Sequence, residues 1–503
     1  MTASTNTQAI SGFDKYFEIT KRGSDTKSEV RGGLVTFFSM AYILALNPLI
    51  LGTAADKDGL LISGEPKFTD AAQTIVDTAA VGHSIGMVAI VTALLAGVLT
   101  ILMGVIGRYP MGMAAGLGLN AMAAYVIAPT MTWPQAMGLI AWEGIIITLL
   151  MLTGFREAVF RAVPKSLRTA ISVGIGLFIT VVAFSNAGVI RKGAALTTLG
   201  VDGTLMGWPI VIFFVTLLLL IFLYQRRVKA AMLISIAVGT VLAIIVEYAA
   251  SVGPRTDDEP TGWSLNMPAP PSLDSFTTPD FGLLGRVDLI GGFARDGQFT
   301  SVSILTGVML VFSLLLADFF DTVGTVVAVG SEGGLLDENG EPPHLREILL
   351  VDSVSALFGG LGSASSNTSF VESTAGVSAG ARTGFASVIT GGAFLLCIFL
   401  TPVINMVPSE AVAPVLVLVG FMMLSQISEI DFTDIEMALP AFFTIVMMPF
   451  AYSITDGIGM GFIAFVLMKT FAGKARQLHP LMWVVSALFL IYFLQGLIAT
   501  AIG

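Results

Sequence analysis

Charge is what this sequence has least of. Asp, Glu, Lys and Arg make up only 12% of its 503 residues, whereas a soluble domain carries about 25%. That scarcity excludes an ordinary soluble protein, and a net charge of −10 argues against a nucleic-acid partner. Cysteine is nearly absent: Cys397, inside an apolar run, stands alone. An intrachain disulfide, a Cys-rich metal site and a thioredoxin-like motif are thereby excluded. The three histidines, at 83, 344 and 479, share no metal-ligand spacing. The glycine-rich stretch at 329–334 lacks the Lys-Ser/Thr ending of a phosphate loop. No Ser/His/Asp arrangement stands out, so an enzyme is poorly supported and no cofactor is implied. Residues 1–31 are polar and charged rather than a secretory leader, so the first apolar run is expected to act as the insertion signal.

What the chain does have is long apolar runs. Hydrophobic residues make up 55% of it and its mean hydropathy is +0.86. Runs of about 20 residues predict a polytopic helical membrane protein; a barrel would show alternating ten-residue segments. Spans are expected near 32–52, 84–106, 110–129, 134–154, 168–188, 207–225 and 229–252, and again near 303–329, 347–362, 363–380, 382–404, 411–428, 437–454 and 456–471, with a last apolar run at 480–500. A polar loop at 253–302 separates two sets of seven. In each set the third span is short and rich in glycine or serine: PMGMAAGLGLNAMAAYVIAP at 110–129 and GSASSNTSFVESTAGVSA at 363–380. Seven is odd, so the second repeat is inverted relative to the first, and interrupted spans at matching positions point to a transporter's central site. The domain reading is therefore an arm at 1–31, repeats at 32–252 and 303–471, the loop between them, and an extra C-terminal segment at 472–503. The basic arm, Arg108, the 155–168 segment and Arg226, Arg227 and Lys229 alternate with acidic or neutral loops. By the positive-inside rule the N-terminus is cytoplasmic. Arg191 and Lys192 fall outside, against that trend.

The charges inside the spans carry the chemistry. Asp318 and Asp321 lie in the apolar run 303–329 at spacing i, i+3, so both project from one face of a helix. An ionised group at mid-bilayer costs about 2.5–3.5 kcal/mol on insertion scales, and such residues face a bundle interior or a water-filled cavity. Glu372 is a third intramembrane carboxylate, at or near the first turn of the half-helix expected after 363–370. Non-helical backbone at that depth is tolerated only against protein or a cavity. It leaves free N–H groups and a positive dipole end at the start of each half-helix. Gly112, Gly116 and Gly118 allow extended backbone and close approach on one side; Ser363, Ser365, Ser366, Asn367, Thr368 and Ser369 supply polar atoms on the other. Asn120 is a candidate ligand contact, or an amide satisfying backbone in a tight packing site. Asp456 is read as part of a turn, and Glu143 and Glu247 as helix–helix contacts or interfacial charges. Carboxylates without lysine or arginine partners favour a cationic, protonated or hydrogen-bonding ligand. A buried acid can also take up and release a proton, which makes proton symport the natural coupling, with sodium as the alternative ion.

Four stretches resemble the AzgA-like purine permeases of the nucleobase–cation symporter-2 (nucleobase–ascorbate) superfamily: FDKYFEITKRGSDTKSEVRGGLVTFFSMAYILALNP, GMAAGLGLNAM, LLLADFFDTVGT and SNTSFVESTAGVSAGARTG. The resemblance covers about 13–471. It implies an all-α membrane protein of fourteen spans in a seven-plus-seven inverted repeat. A core domain (spans 1–4 and 8–11) would move against a gate domain (spans 5–7 and 12–14), and the third and tenth spans would be short strands followed by half-helices. The 480–500 run exceeds that plan. By motif position Asp318 and Glu372 would bracket the base, Asp321 belongs to the same D-x-x-D motif, and Asn120 matches the third-span asparagine of the purine branch. Thr368 and Val371 complete the expected substrate-binding set, and Asp321, Asp318 and Glu372 the proton-coupling set. An aspartate at 318 fits the adenine, guanine and hypoxanthine branch, since the uracil and xanthine branches carry glutamate there. The resemblance also implies a homodimer through the gate domain.

The function expected from the sequence is proton-coupled import of purine nucleobases across the cytoplasmic membrane by elevator-like alternating access. The alternatives are a xanthine, uracil or anion transporter on the same fold, or an ion channel. An anion transporter would want a cationic residue at the paired half-helices, and the sequence places none there.

Overall fold

Asp25 begins the first span. Its carboxylate accepts from the backbone N–H groups of Lys27 and Ser28 at 2.9 and 3.0 Å, satisfying two of the donors a helix start leaves free. In the computed structural model, which describes residues 12–70, 75–153, 163–192, 197–256, 259–270, 278–294, 297–338 and 341–502, the helix runs Thr26–Met40, breaks at residues 41–42 and resumes as Ile43–Thr53. The remaining spans of the first repeat are Thr78–Gly107 (span 2), a short strand and half-helix ending at Thr130 (span 3), Trp133–Thr153 (span 4), Lys165–Asn186 (span 5), Trp208–Gln225 (span 6) and Ala231–Ala250 (span 7). The second repeat holds Ser301–Gly333 (span 8), Leu345–Leu361 (span 9), a second strand and half-helix (span 10), Gly384–Ile404 (span 11), Ser409–Glu429 (span 12), Ile435–Phe450 (span 13) and Ile454–Phe471 (span 14). Among the described residues ten of these helices are long and apolar enough to cross a membrane. The other four are spans 3, 9, 10 and 13. The chain is a multi-pass membrane protein of fourteen spans in two inverted repeats, as expected from the alternation of its apolar runs.

Several boundaries move from the sequence reading, each for a local reason. Span 8 extends beyond 303–329 at both ends. A Thr300–Ser303 capping box starts it, and it stops only at Gly334, which takes φ +60°. Span 1 starts earlier than 32 because of the Asp25 cap. The run at 480–500 is one helix, Pro480–Ile502, packed along span 14 and span 8. A small hairpin, β2 (Ile190–Lys192) with β3 (Thr197–Leu199), follows span 5. Most of the basic 155–168 segment, including Arg156 and Arg161, lies outside the described residues.

Two groups of spans pack chiefly among themselves. Spans 2 and 3 contact span 1, span 4 packs on span 9, and spans 2 and 1 both pack on span 11. Separately, span 5 packs on spans 12 and 13, span 6 on spans 7 and 12, and span 13 on span 14. These are the core and gate domains. Small residues set the core spacing. A Cβ at Gly104 would meet Gly384 O at 2.4 Å, and one at Gly384 would meet Gly104 O at 2.0 Å.

Each end of the molecule is tied across the two repeats. At one end the N-terminal arm docks on the ends of spans 2 and 10. Arg22 Nη1 donates to the carbonyls of Arg108 and Arg382 at 3.0 and 3.3 Å, and buried Glu29 accepts from the N–H groups of Arg382 and Thr383 at 2.9 and 3.2 Å. At the opposite end the loop before span 8 crosses over the core: Asp288 N–H donates to Pro134 O at 2.8 Å and Gly285 N–H to Leu361 O at 2.9 Å. The arm gives a pH prediction. Hydrogen bonding to Lys21, with Arg22 adding to it, holds the Glu18 carboxyl below its ordinary value of 4.5. A carboxyl lowered by folding stabilises the docked arm above the ordinary value and loses that contribution as pH falls through the folded one. Amide exchange of residues 12–24 should therefore quicken as pH drops below about 4.5, once intrinsic exchange is corrected for.

Candidate functional site

The two interrupted spans meet at the centre of the core. β1 (Met113–Ala115) pairs antiparallel with β4 (Asn367–Ser369), Ala114 opposite Thr368. Neither MAA nor NTS favours a strand by propensity. The pairing forms because each segment must satisfy its backbone where a helix has not yet begun. Flanking bonds extend the ladder, Gly116 N–H to Ser366 O at 2.9 Å and Phe370 N–H to Gly112 O at 3.0 Å. A Cβ at Gly116 would lie 2.9 Å from Thr368 Cγ2, so only glycine lets the strands close here. Half-helices follow, Leu117–Met122 after β1 and Ser373–Ser378 after β4. The antiparallel strands send them in opposite directions, with both starts beside the ladder. Span 8 packs against both half-helices and β4.

The structure brings Asp318, Asp321, Thr368, Val371 and Glu372 to this junction. Asp318 is fully buried; no donor of the protein meets its carboxylate oxygens in good hydrogen-bond geometry, although the Thr368 hydroxyl and the Glu143 carboxyl stand close enough to interact with it. It lies beside Thr368, Glu143, Asp352 and Asp321. Thr368 Oγ1 is 2.9 Å from Thr322 Oγ1. One turn on, Asp321 is exposed to solvent, near Glu372 and Asp352. Val371 is 41% exposed. Glu372 stands at the start of its half-helix without a side-chain capping bond, and its Oε1 accepts from the Tyr42 hydroxyl at 2.5 Å. It also lines a cavity of about 490 Å³ with Ser39, Arg227, Lys229 and Met422. Asn120, on the first half-helix, is fully buried with both side-chain amide atoms unpartnered.

Other candidates fall elsewhere. Ser453, not Asp456, caps span 14 by accepting from the Asp456 N–H. Glu247 accepts from Trp263 Nε1 at 2.7 Å and anchors the long loop.

Three site neighbours escaped the sequence reading. Asp352 is buried in span 9 and accepts from Thr322 Oγ1 and Ser369 Oγ, each at 2.8 Å. Its signal was an aspartate inside LLVDSVSALF, subject to the same rule that singled out Asp318. Glu143 in span 4 is neither interfacial nor at a helix end: it is fully buried, and Ser366 Oγ donates to its Oε1 at 3.3 Å. Tyr42 sits fully buried where span 1 breaks, and nothing in the sequence marked it.

The charges acting on Asp318 and Asp321 are thus other carboxylates. Buried acceptors on Asp318 without a well-placed donor and an unpartnered amide on Asn120 are costly unless something else completes them. The arrangement leaves hydrogen-bond acceptors on Asp318 and an amide on Asn120 that a polar group could complete.

The sequence matches the model of a family described as the Permease family over residues 68–460. The chain belongs to this permease family. The permease is 34% identical over 496 residues, 97% of each chain, to the adenine permease AdeP of Escherichia coli strain K12. It is 35% identical to the guanine/hypoxanthine permease PbuG of Bacillus subtilis strain 168, over 95% of its own length and 99% of that protein's. The resemblance drawn from the four motif stretches is borne out. Among solved structures it resembles the transmembrane domain of a cyanobacterial bicarbonate transporter, BicA (TM-score 0.55, 14% identity, 86% of this chain and 97% of that one). It also resembles the murine anion transporter Slc26a9 in the inward-facing state (TM-score 0.57, 10% identity, 94% and 74%). At such identities the likeness is one of fold.

Proposed function

We propose that this permease imports purine nucleobases (hypoxanthine, guanine and adenine) across the cytoplasmic membrane together with protons. The observation that carries this reading is the set of buried, incomplete polar groups at the β1–β4 junction. The base's N–H groups donate to Asp318 and Glu372, and its carbonyl or ring nitrogens accept from the Asn120 amide and the free N–H groups of the half-helices. Thr368 and Val371 form the strand side of the pocket. Asp321, open to water, carries the proton or holds the geometry. The relatives named as adenine and guanine/hypoxanthine permeases support the substrate class. The bicarbonate and anion transporters share the fold, but the carboxylate-rich surroundings of Asp318 and Asp321 are a poor host for an anion.

The transport motion in this reading slides the core, with its bound base, against the gate. Gly118 of the core faces Ile175 of the gate, where a Cβ would stand 2.7 Å from Ile175 Cγ2, so the sliding surface is smooth at the site. The cavity at Glu372 is then the cytoplasmic vestibule, since the basic Arg227 and Lys229 line it. Exposed apolar side chains such as Leu218, Phe222 and Phe450 meet lipid or, on the gate domain, a second copy in a homodimer.

Uptake of labelled hypoxanthine against a panel of unlabelled purines, pyrimidines and ascorbate tests the substrate class. Purines should compete and uracil and ascorbate should not; competition by uracil alone would overturn the assignment. Asn120→Ala makes a separate prediction. It removes two unpartnered buried polar atoms, so the purified protein should be no less stable in thermal unfolding. Base affinity should fall about 10-fold or more as one or two hydrogen bonds are lost. A drop in stability with unchanged affinity would make Asn120 a packing residue only.

A further inference from the structure

The cluster behind β4 holds one carboxylate that the proposed transport reading does not use. Glu143 lies on span 4, which packs against span 9 backbone to backbone: a Cβ at Gly144 would meet Leu357 N at 2.2 Å, and one at Gly360 would meet Ala141 N at 2.5 Å. This closeness pushes Glu143 into the core behind the strand. It is fully buried; Oε1 takes the 3.3 Å bond from Ser366 Oγ, and no N–H or hydroxyl donor reaches Oε2, which is left to the neighbouring carboxyl. Its carboxyl faces that of Asp318, whose two oxygens also lack a well-placed donor, and Asp352 stands nearby. The groups that face Glu143 are thus Ser366, Asp318 and Asp352. Asp352 is already engaged by Thr322 and Ser369, and no cation is among the groups acting on Glu143. Two buried carboxyls placed side by side without a cation resist being ionised together.

We propose that Glu143 is a positioning residue for Asp318, a second acid that keeps a proton behind β4 and thereby sets when Asp318 can accept from the base and when it is protonated. This rests on the proton-coupled reading given above. One proton moves between the two acids. With it on Glu143, the Glu143 O–H donates to the Asp318 carboxylate, which is then free to accept from the base. When the base leaves, the proton passes to Asp318, and the Glu143 carboxylate accepts from Asp318 and from Ser366 Oγ. The count within the pair is unchanged, and no other group is consumed. Glu143 is itself sealed from solvent, so its influence reaches the substrate only through Asp318 and the Ser366–Thr368 segment.

The full-length protein in liposomes separates this from both a structural role and a failure of the transport reading. Two assays are compared, exchange of labelled hypoxanthine for internal unlabelled hypoxanthine, and accumulation driven by an acid-outside pH gradient. In Glu143→Gln the amide keeps the volume and can donate and accept, but it cannot lose a proton. Exchange should stay within about 3-fold of wild type, whereas gradient-driven accumulation falls at least about 10-fold and its pH dependence flattens. Glu143→Asp, which keeps the acid, should restore accumulation with a displaced pH optimum; it also serves if the glutamine variant does not fold. Accumulation by Glu143→Gln equal to wild type would overturn the proposal, as would equal loss of exchange and accumulation in folded protein. Absence of gradient-driven accumulation in the wild type would instead sink the coupling on which the proposal rests.

Discussion

Asp318→Asn should reduce purine uptake at least about 100-fold while leaving the purified protein as stable as wild type or more so. The two halves of this expectation come from one fact. Asp318 is fully buried, no donor of the protein meets its oxygens in good geometry, and its charged neighbours are Asp352, Glu143 and Asp321. Replacing a buried carboxylate by its isosteric amide removes repulsion and desolvation cost, which on its own stabilises the fold. The same change turns half of an acceptor pair into a donor. A base N–H that met an oxygen would then meet an NH2, and a site built for one hydrogen-bonding pattern rejects its opposite by orders of magnitude. Uptake in cells and thermal unfolding of the purified variant read the two effects separately. A destabilised variant with proportionate loss of uptake would mean that Asp318 is a strut. Unchanged uptake in a normally expressed variant would remove it from the site. Glu372→Ala should also abolish uptake, but it frees the Tyr42 hydroxyl from its 2.5 Å bond, so some loss of stability is expected as well.

The second large effect is on folding. Gly360→Leu should prevent accumulation of folded protein in the membrane. The first added carbon would stand 2.5 Å from Ala141 N and 2.9 Å from Ala141 Cα. These are backbone atoms of a packed helix and cannot turn aside as a side chain could. Overpacking of this kind costs about 1–3 kcal/mol where the core can shift, and more where two helices must part. Spans 4 and 9 also carry Glu143 and Asp352, so any variant that does insert should transport poorly. Gly392→Ala is the control: its added carbon meets nothing within 4 Å, and the variant should express and unfold like wild type. If Gly360→Leu folds normally, spans 4 and 9 do not meet as described.

The architecture was legible because membrane insertion leaves a strong imprint. Runs of apolar residues, one polar loop between two sets of seven, and paired Gly- and Ser-rich interruptions led to fourteen spans and an inverted repeat. Asp318, Asp321 and Glu372 stood out for the same reason: a carboxylate in an apolar run is expensive. Asp352 obeys that rule too, in the middle of a short helix of 17 residues, but it was not singled out. Glu143 was legible as a charge and not as a neighbour of Asp318, because its position depends on how Gly144 and Gly360 let two distant spans touch. Tyr42 was hidden more deeply. Its part arises from a break in span 1 a few residues before Asn47 and Pro48, and from a partner 330 positions away, which periodicity cannot report. The division of labour between Asp318 and Asp321 was suggested by motif position. The geometry adds a physical contrast, one side chain sealed with its acceptors short of a well-placed donor and the other open to water.

The most direct test of the account is accumulation of labelled hypoxanthine by the purified protein in liposomes, measured with an acid-outside pH gradient and again after a protonophore collapses it. Accumulation above the external concentration should appear with the gradient, vanish with the protonophore, and be absent in Asp318→Asn. Concentrative uptake that survives collapse of the gradient, or that persists in Asp318→Asn, would contradict a carboxylate-centred, proton-coupled purine transporter.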